Sequence, residues 1–288
     1  PLVGARLYAA FVNIYIVHEV SGLANANERT ILFLIADTGA GHRSAANAIR
    51  NAINLISQQE QEEWHARQQN TTEEVAPSSA PPTYRIEIVD AFEEYSRFPL
   101  REAVKLYGPA IRYNPKMYGR VFHLSNKEHR VLAMQSVASP LIHNGLIRLF
   151  TLIKPDIIVS IHPMLNHVTI HALQDLGIRV PFLTVVTDLV SVHYTWFAPG
   201  ADGYIVPTEQ AKQLYLARGL DAERVHLLGM PIDPKFTRPT ESRLELQQKF
   251  GLEPDVPVVL LVGGGEGSGG LQEAVRCISR AHLPVQLL

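Results

Sequence analysis

Short apolar runs rich in β-branched residues recur along the chain, and segments with helical periodicity separate them. This alternation is typical of a parallel β-sheet covered by helices, because parallel strands need long crossover connections that are usually helical. The runs that predict strands are 31–36, 84–89, 156–161, 182–187, 204–206 and 225–228. The sequence therefore predicts an α/β fold built on a Rossmann-like parallel sheet.

The strand rhythm stops in a charged segment, residues 233–255, and resumes after it. We predict an N-terminal extension over 1–28, a first Rossmann-like domain over 29–232, a linker with one short helix over 233–255, and the truncated start of a second Rossmann-like domain over 256–288. Because that second unit holds only a strand, a glycine-rich turn, a helix and the beginning of another strand, we expect the chain to be part of a longer protein.

The overall charge is close to neutral and points to no charged partner. Lys and Arg number 26 and Asp and Glu number 28, which gives a formal net charge of −2, and the charges are scattered. Nucleic acid is therefore not an expected partner, and no polybasic tail predicts binding to anionic lipid.

Cys277 is the only cysteine, which excludes an intramolecular disulfide and a CxxC metal or redox pair.

An apolar stretch near the start, residues 7–17, raises the question of membrane contact. Asn13 interrupts it, and it is shorter than the about 20 residues that a helix needs to cross a bilayer. An interfacial helix and the remainder of an upstream segment are both open. We expect any membrane attachment to be peripheral, through apolar patches such as those within residues 99–122.

Two connections between strands carry less regular sequence. Residues 57–83 turn polar and then rich in Pro and Ser, which predicts that the first helix frays into a flexible surface insertion.

The long crossover over 99–154 predicts two helices. Its first part is rich in Tyr and Phe and contains Pro109 and Pro115, so it forms either an apolar wall beside a ligand or ordinary helix packing.

The later of two glycine-rich turns, "VVLLVGGGEGSGGL", joins a strand to a helix that is predicted to begin near Leu271. Backbone amides that no side chain shields, together with the positive end of a helix dipole, would suit a pyrophosphate. The pattern G-x-G-x-x-G occurs at Gly265, Gly267 and Gly270, whereas no G-x-x-x-x-G-K-[ST] motif occurs. A nucleotide or phosphate site and a tight turn both remain open.

The earlier turn, "ADTGAGHRSAANAI", places His42 between the first strand and the helix that follows. Ligands of open α/β sheets bind at this end of the strands, and Gly39 and Gly41 leave room for one. An imidazole suits proton transfer near neutral pH, and a helix N-terminus disfavours its protonated form. In the alternative, Thr38 or Ser44 caps the helix and His42 takes no part in chemistry.

Polar side chains also follow the third and fourth strands. His162 comes directly after the third strand, and Asp188, His193 and Trp196 follow the fourth. Neighbouring parallel strands would bring them into one cleft with the first turn, although each could also be an ordinary turn residue or a satisfied polar residue. No HExxH or DxD spacing predicts a metal site, and no G-x-S-x-G elbow predicts a serine hydrolase.

Seven segments together carry a family resemblance. They are "ADTGAGHRSAANAI", "VDAFEEY", "PDIIVSIHPMLNH", "TVVTDLVSVHYTWF", "PTEQAKQLYLARGL", "LLGMPIDPKF" and "LLVGGGEGSGGL". In this order, over about residues 31–271, they resemble the monogalactosyldiacylglycerol synthases and the related bacterial diacylglycerol glucosyltransferases. Seven collinear segments are far more specific than any one of them.

The resemblance implies a two-domain GT-B glycosyltransferase whose N-terminal domain receives a lipid acceptor and whose C-terminal domain holds a UDP-sugar. It implies inverting transfer of a hexose from UDP-galactose or UDP-glucose to the hydroxyl of diacylglycerol in a membrane surface, as a step of glycolipid biosynthesis. It further implies a cytoplasmic enzyme that associates peripherally with the membrane, with the UDP-sugar as co-substrate and without another cofactor, a metal ion or nucleic acid.

On the family pattern, His42 matches the candidate general base, and Asp188 is either its orienting partner or a competing base. The acceptor side would be formed by Thr38, Gly39, Gly41, His162, His193 and Trp196. The loop near the donor phosphates would be formed by Gly263, Gly264, Gly265, Glu266 and Gly267. Since the remainder of a donor domain is not in the sequence, we expect the chain alone to show little or no transferase activity.

Two other functions stay open at this point. A UDP-sugar 2-epimerase of similar two-domain form would use the same turns for a soluble substrate. A lipid- or nucleotide-binding module without catalysis would have no turnover for a His42→Ala substitution to change. Binding to vesicles that contain diacylglycerol would separate a lipid enzyme from an epimerase.

Overall fold

The protein is described by a computed structural model, which covers residues 28–37, 40–70, 80–237, 240–263 and 270–288. The main strands are β1 (Glu28–Ile35), β2 (Thr83–Asp90), β3 (Ile157–Ser160), β4 (Phe182–Val185), β5 (Gly203–Val206) and β6 (Val225–Leu227). They pair in parallel to form one sheet with the order β2-β1-β3-β4-β5-β6. All six predicted strands are present, and the prediction of an α/β fold with a Rossmann-like parallel sheet is confirmed.

The central strands form because their apolar side chains are buried on both faces of the sheet. In β1, Leu32 and Leu34 belong to the core on one face, and Ile31, Phe33 and Ile35 belong to the core on the other. All five are fully buried, and each burial stabilises the fold by about 1.5–3 kcal/mol relative to an exposed side chain. A run that is apolar at every position is what a central parallel strand requires.

The α-helices cover the sheet and form most of the connections between its strands. They are α1 (Ala40–Asn70), α2 (Ala91–Tyr95), α3 (Leu100–Lys105), α4 (Tyr107–Tyr113), α5 (Pro115–Ser125), α6 (Glu128–Ala138), α7 (His143–Ile153), α8 (Asn166–Leu176), α9 (Glu209–Ala217), α10 (Arg243–Phe250) and α11 (Leu271–Arg280). Short 3-10 turns lie between several of them.

The first helix is longer than the sequence predicts. It has 31 residues and continues to Asn70, so residues 57–70 of the segment in which the sequence predicts fraying are helical. Its first half buries Ala45 and Ile49 against the sheet. Farther along, pairs spaced four residues apart hold the exposed turns, as in the 2.8 Å hydrogen bond from Gln58 Nε2 to Glu62 Oε1. The Pro- and Ser-rich residues 71–79 lie outside the described part of the chain.

The connection over residues 99–154 contains α3 to α7 rather than the two helices that the sequence predicts. Prolines and their neighbours explain the additional breaks. Pro115 is the first residue of α5, where its missing N–H costs no helical hydrogen bond, and Asn114 Oδ1 accepts from Met117 N at 3.1 Å to cap the same helix. Pro140 lies in the 3-10 turn Ser139–Leu141, which separates α6 from α7.

A second, two-stranded parallel sheet follows in the chain, with β7 (Val258–Val259) paired to β8 (Gln286–Leu287) and α11 between them. The helix α11 begins at Leu271, as predicted. In the predicted linker, α10 is the one α-helix among the described residues, and it begins with a capping box formed by Ser242 and Glu245. The boundaries of the proposed domains stay predictions.

Candidate functional site

A cleft of about 560 Å³ lies where the polar residues that follow β1, β3 and β4 come together. Its lining includes five residues that the sequence singles out: His42, His162, Asp188, His193 and Trp196. The prediction that neighbouring strand ends bring them into one cleft is confirmed, because β1 pairs with β3 and β3 with β4. These residues form the polar side of the cleft.

The opposite side is apolar and comes from the crossover helices. We call it the apolar wall, and its lining residues from α3 to α6 include Leu100, Val104, Tyr107, Val121, Phe122 and Met134. The sequence leaves open whether this crossover forms an apolar wall beside a ligand or only ordinary helix packing. Its side chains line the cleft, which favours the wall. A mostly apolar cleft with a few convergent polar groups is the usual form of a small-molecule site.

His42 lies in the first turn of α1, which begins at Ala40. The prediction that His42 precedes the helix is therefore wrong by two residues, and Ser44 lies inside the helix rather than at its N-cap. Burial lowers the pKa of His42, whereas the charge of Asp188, the carbonyl group of Ala36 and the charge of Asp37 act in the opposite direction. The imidazole is thus neutral near pH 7 and able to accept a proton.

His162 lies against His42 and is itself held rigidly. The two rings are 4.8 Å apart between centroids, at an angle of 67°. Nδ1 of His162 accepts a hydrogen bond from Met164 N at 3.3 Å, so the neutral ring carries its proton on Nε2. Burial, with a smaller contribution from His42, lowers the pKa of His162 well below its ordinary value. His162 therefore presents an uncharged ring to the base candidate.

Asp188 lies on the loop after β4 and is half-buried. Burial raises its pKa, and the donors around it partly oppose this effect. One of them is His193 N, which donates to Asp188 Oδ2 at 3.2 Å. The indole N–H of Trp196 also favours the charged carboxylate, although it does not reach hydrogen-bond geometry with a partner in the described part of the chain. A desolvated carboxylate near His42 can stabilise the imidazolium ion that forms when His42 takes up a proton.

His193 uses both of its ring nitrogens in contacts within the protein. Its Nδ1 accepts from Thr195 N at 3.2 Å and lies 2.9 Å from Thr195 Oγ1, and its Nε2 lies 3.1 Å from Ser125 Oγ. Burial lowers the pKa of His193. Sequence reasoning missed Ser125 as a site residue, because it lies 68 residues away and no motif links it to the loop after β4.

Trp196 is 1% exposed and packs as part of the site's floor. Its carbonyl oxygen accepts from Asn166 Nδ2 at 3.3 Å and from the Tyr215 hydroxyl at 3.1 Å. The ring centroid of Trp196 is 6.4 Å from that of His42. Trp196 thus fixes the loop after β4 at the position where it contacts the base candidate.

The turn before His42 is held by an ion pair that the sequence analysis did not identify. Both Oδ atoms of Asp37 accept from Arg43, with Nε–Oδ1 at 2.8 Å and Nη2–Oδ2 at 2.6 Å. Asp37 N in turn donates to Asp90 Oδ2 at 2.9 Å. These contacts link the segment after β1 to the first turn of α1 and to the end of β2.

Several predicted site residues of the two glycine-rich turns lie outside the described residues. They are Thr38 and Gly39 in the first turn, and Gly264, Gly265, Glu266 and Gly267 in the second. Gly41 is exposed, and a side chain there would meet no atom within 4 Å. At Gly263 a Cβ would lie 3.5 Å from Leu271 Cδ2, which is an ordinary contact. The phosphate cradle therefore stays a prediction.

Metal coordination and membrane crossing are two further properties to consider for the described residues. No group of three or more His, Cys, Asp or Glu side chains is arranged to hold a metal ion in that part of the chain. No single described helix has the length and apolar character needed to cross a membrane. Two consecutive segments, Glu128–Leu141 and His143–Ile153, reach that length and apolar character only when they are taken together, and the chain bends by 59° between them.

Residues 42–232 match the sequence model of the family described as monogalactosyldiacylglycerol (MGDG) synthase. The chain belongs to the MGDG synthase family. This membership confirms the resemblance that the seven collinear segments carry, and the matched range contains every described polar residue of the cleft. It also favours the glycolipid enzymes over the epimerase alternative.

Curated relatives have similar sequences over most of this chain. It is 31% identical over 261 residues to the probable MGDG synthase 2 of rice, covering 90% of this chain and 50% of the relative. It is 30% identical over 272 residues to MGDG synthase 1 of Arabidopsis thaliana, covering 91% and 45%. The chain spans about half the length of the curated relatives it matches. A solved structure, the putative UDP-N-acetylglucosamine 2-epimerase of Listeria monocytogenes, aligns with a TM-score of 0.46 at 17% identity over 90% of this chain and 62% of its own.

Proposed function

We propose that this chain forms the acceptor-binding part of a glycosyltransferase that moves a hexose from a UDP-sugar to the hydroxyl of diacylglycerol in glycolipid synthesis. Galactose is the favoured hexose because the matching relatives are named monogalactosyldiacylglycerol synthases. The observation that carries the proposal is the cleft itself, in which a desolvated histidine and carboxylate face an apolar wall. An acceptor with a reactive hydroxyl and two acyl chains has the same division into polar and apolar parts.

In this mechanism His42 is the general base. Its neutral imidazole takes the proton of the lipid hydroxyl while that oxygen bonds to the anomeric carbon of the sugar. The bond between the anomeric carbon and the UDP oxygen breaks, and its electron pair leaves with UDP, so the anomeric configuration inverts. In this proposal Asp188 stabilises the imidazolium ion through its charge and is not itself the base.

The donor side rests on the second glycine-rich turn, residues 263–267. Its backbone amides and the N-terminus of α11 would stabilise the negative charge on the departing UDP. The UDP-sugar is the co-substrate in this proposal. The rest of the donor site would belong to sequence outside these 288 residues, since the relatives are about twice as long.

The outer face of the crossover suits peripheral contact with a membrane. Large apolar side chains there are well exposed, among them Phe98 (78%), Tyr113 (78%) and Val137 (75%). Over residues 97–138 basic residues greatly outnumber acidic ones: the basic ones are Arg97, Arg101, Lys105, Arg112, Lys116, Arg120, Lys127 and Arg130, and the acidic ones are Glu102 and Glu128. The charges are therefore not scattered in this segment, although the whole chain carries a net charge of −2. We call this outer face the basic-apolar surface.

Basic side chains between exposed apolar ones are what an anionic lipid surface attracts. Because the same helices line the cleft on their other side, contact through the basic-apolar surface would bring the cleft close to its lipid acceptor. The curated relatives are named chloroplastic, so a cytoplasmic location stays an expectation from the sequence.

The experiment that tests the function is a comparison of His42→Ala and His42→Gln in a longer protein that carries both domains. Transfer to diacylglycerol in vesicles would be measured with UDP-galactose and with UDP-glucose. We expect both variants to lose at least about 100-fold in rate, the usual contribution of a general base, with UDP-galactose the better donor for the unsubstituted protein.

His171→Ala is the matched control, because His171 is an exposed histidine of α8 that does not line the cleft. It should transfer the hexose at the unsubstituted rate. Near-normal rates in both His42 variants would remove His42 as the base, and absence of transfer from either donor to diacylglycerol would contradict the proposed function.

A further inference from the structure

The C-terminal end of α5 is joined to the loop after β4 by two hydrogen bonds. His193 Nε2 lies 3.1 Å from Ser125 Oγ, and Tyr194 N donates to Asn126 Oδ1 at 2.7 Å. We call this pair of contacts the latch. It joins the apolar wall to the loop that carries Asp188, although the two segments are 68 residues apart in the chain.

The direction of the first hydrogen bond follows from counting protons. Nδ1 of His193 accepts from Thr195 N at 3.2 Å and also lies 2.9 Å from Thr195 Oγ1, whose hydroxyl can donate to it as well. Because the backbone N–H can only donate, the neutral ring carries its proton on Nε2. The hydroxyl of Ser125 donates to the carbonyl oxygen of Phe122 at 3.1 Å, which leaves its oxygen to accept from His193 Nε2. The Nε2 proton of His193 and the oxygen of Ser125 are therefore a matched donor and acceptor.

The helices of the apolar wall pack only shallowly on the core, as in α3, where Leu100 and Val104 are partly buried against it. α3 contains no buried residue, and in α6 the buried residues are Val131 and Gln135. Phe122 of α5 contacts the His193 ring, with 4.8 Å between centroids, so an aromatic contact accompanies the latch. The latch thus joins α5 to the loop after β4 where none of the described side chains of α5 is fully buried.

On the loop side, the latch continues directly to the carboxylate. His193 donates from its ring to Ser125 and from its backbone N to Asp188 Oδ2 at 3.2 Å. A displacement of α5 would therefore be passed to Asp188, and from there to the electrostatic environment of His42.

We propose that His193 and Asn126 are positioning residues that hold the apolar wall and Asp188 in a fixed relative position. Asp188 then lies beside His42 when a lipid acceptor binds against the wall. The catalytic part of this inference rests on the proposed function. The mechanical part, in which the latch holds α5 in place, does not depend on any reaction.

Substitutions that break or keep the hydrogen bonds of the latch provide the test. His193→Asn keeps an acceptor for Thr195 N but is too short to donate to Ser125. His193→Gln instead places a donor near the position of Nε2 and gives up the acceptor for Thr195 N. Asn126→Ala removes the acceptor for Tyr194 N, whereas Asn126→Asp keeps it. Each breaking variant thus has a conservative partner at the same position.

The first measurement is amide hydrogen exchange on residues 115–125 in the 288-residue chain without substrate. We expect His193→Asn and Asn126→Ala to speed up exchange in α5 by about tenfold, as loss of one hydrogen bond of typical net strength would, and the conservative variants to restore protection. Unchanged exchange in both breaking variants would overturn the latch, whatever the protein catalyses.

The second measurement uses the longer protein with diacylglycerol and UDP-galactose. We expect the breaking variants to raise KM for the lipid about tenfold with a smaller change in kcat, and His193→Gln to recover most of the loss. Altered exchange with unchanged KM and kcat would overturn the positioning role. If no variant, including the unsubstituted protein, shows transfer, it is the proposed function that fails, because the exchange measurement tests the latch separately.

Discussion

Replacing Gly145 with alanine should destabilise the chain, and the structure gives the size of the effect. Gly145 lies in α7 where that helix crosses the end of α2. A Cβ at Gly145 would overlap the carbonyl oxygen of Tyr95 and would lie 2.8 Å from its carbonyl carbon. Backbone atoms cannot rotate away, so the strain falls at the upper end of the usual range for overpacking, about 3 kcal/mol.

Alanine also improves helix propensity by about 1 kcal/mol, which leaves an expected net loss of about 2 kcal/mol in the free energy of unfolding. For a domain of this size such a loss lowers Tm by about 4–8 °C. Gly119, in the middle of α5, is the matched control, because a Cβ there would meet no atom within 4 Å. Gly119→Ala should therefore stabilise the chain by up to about 1 kcal/mol.

The assay is urea unfolding followed by tryptophan fluorescence, since Trp196 is buried beside the cleft. The two variants should move the unfolding midpoint in opposite directions. Equal stability of Gly145→Ala and Gly119→Ala would refute the reasoning, because it would mean that α7 and α2 are not in the close contact described. The contact matters for the site, since Asp90 at the start of α2 accepts from Asp37 N next to the first turn.

Three further predictions concern the site and its surroundings. Asp90→Ala should lower the free energy of unfolding by about 1–3 kcal/mol in the same urea assay, because Phe92 N, Glu93 N and Asp37 N would lose their acceptor, and Asp90→Asn should recover part of this loss. In the longer protein, activity should fall only as the pH drops below the ordinary histidine pKa of 6.5, because the base must be neutral and burial lowers the pKa of His42. Asp188→Asn should move this loss of activity to still lower pH, since it removes a charge that raises the pKa of His42. An unchanged pH profile would contradict the pairing of Asp188 with His42. The double substitution Arg112→Glu and Lys116→Glu reverses two charges of the basic-apolar surface. It should weaken binding to anionic vesicles, measured by sedimentation at low salt, by at least about tenfold, whereas Arg280→Glu on α11 should not. Equal losses would show that this surface is not the lipid contact.

The sheet is the part of the fold that the sequence predicts best, because strands such as β1 are apolar at every position and few other structures can bury such a run. The helices are predicted less well. The polar half of α1 looks like a loop by composition, yet pairs such as Gln58 and Glu62 continue the helix. In the crossover, Pro115 begins a helix instead of ending one, which divides the wall into more pieces than periodicity indicates.

In the candidate site, too, the residues that follow strands could be predicted from the sequence, whereas the contacts made by the crossover helices could not. His42, His162 and Asp188 come together because parallel neighbouring strands place their carboxyl ends side by side, and this rule can be applied to a sequence. The contacts of His193 with Ser125 and of Tyr194 with Asn126 could not be predicted, because they join segments 68 residues apart through side chains that belong to no motif. The assignment of His193 to the acceptor side stays a prediction, and its contacts favour a positioning role.

The central claim is that the cleft between His42 and the apolar wall receives the lipid acceptor. Photocrosslinking tests it most directly, with a diacylglycerol analogue that carries a diazirine on one acyl chain, incorporated into vesicles and incubated with the 288-residue chain. The account predicts crosslinks to peptides that contain the wall residues Val104, Phe122 and Met134, and competition by unlabelled diacylglycerol. Crosslinks confined to other surfaces, or crosslinks that diacylglycerol does not compete away, would contradict it.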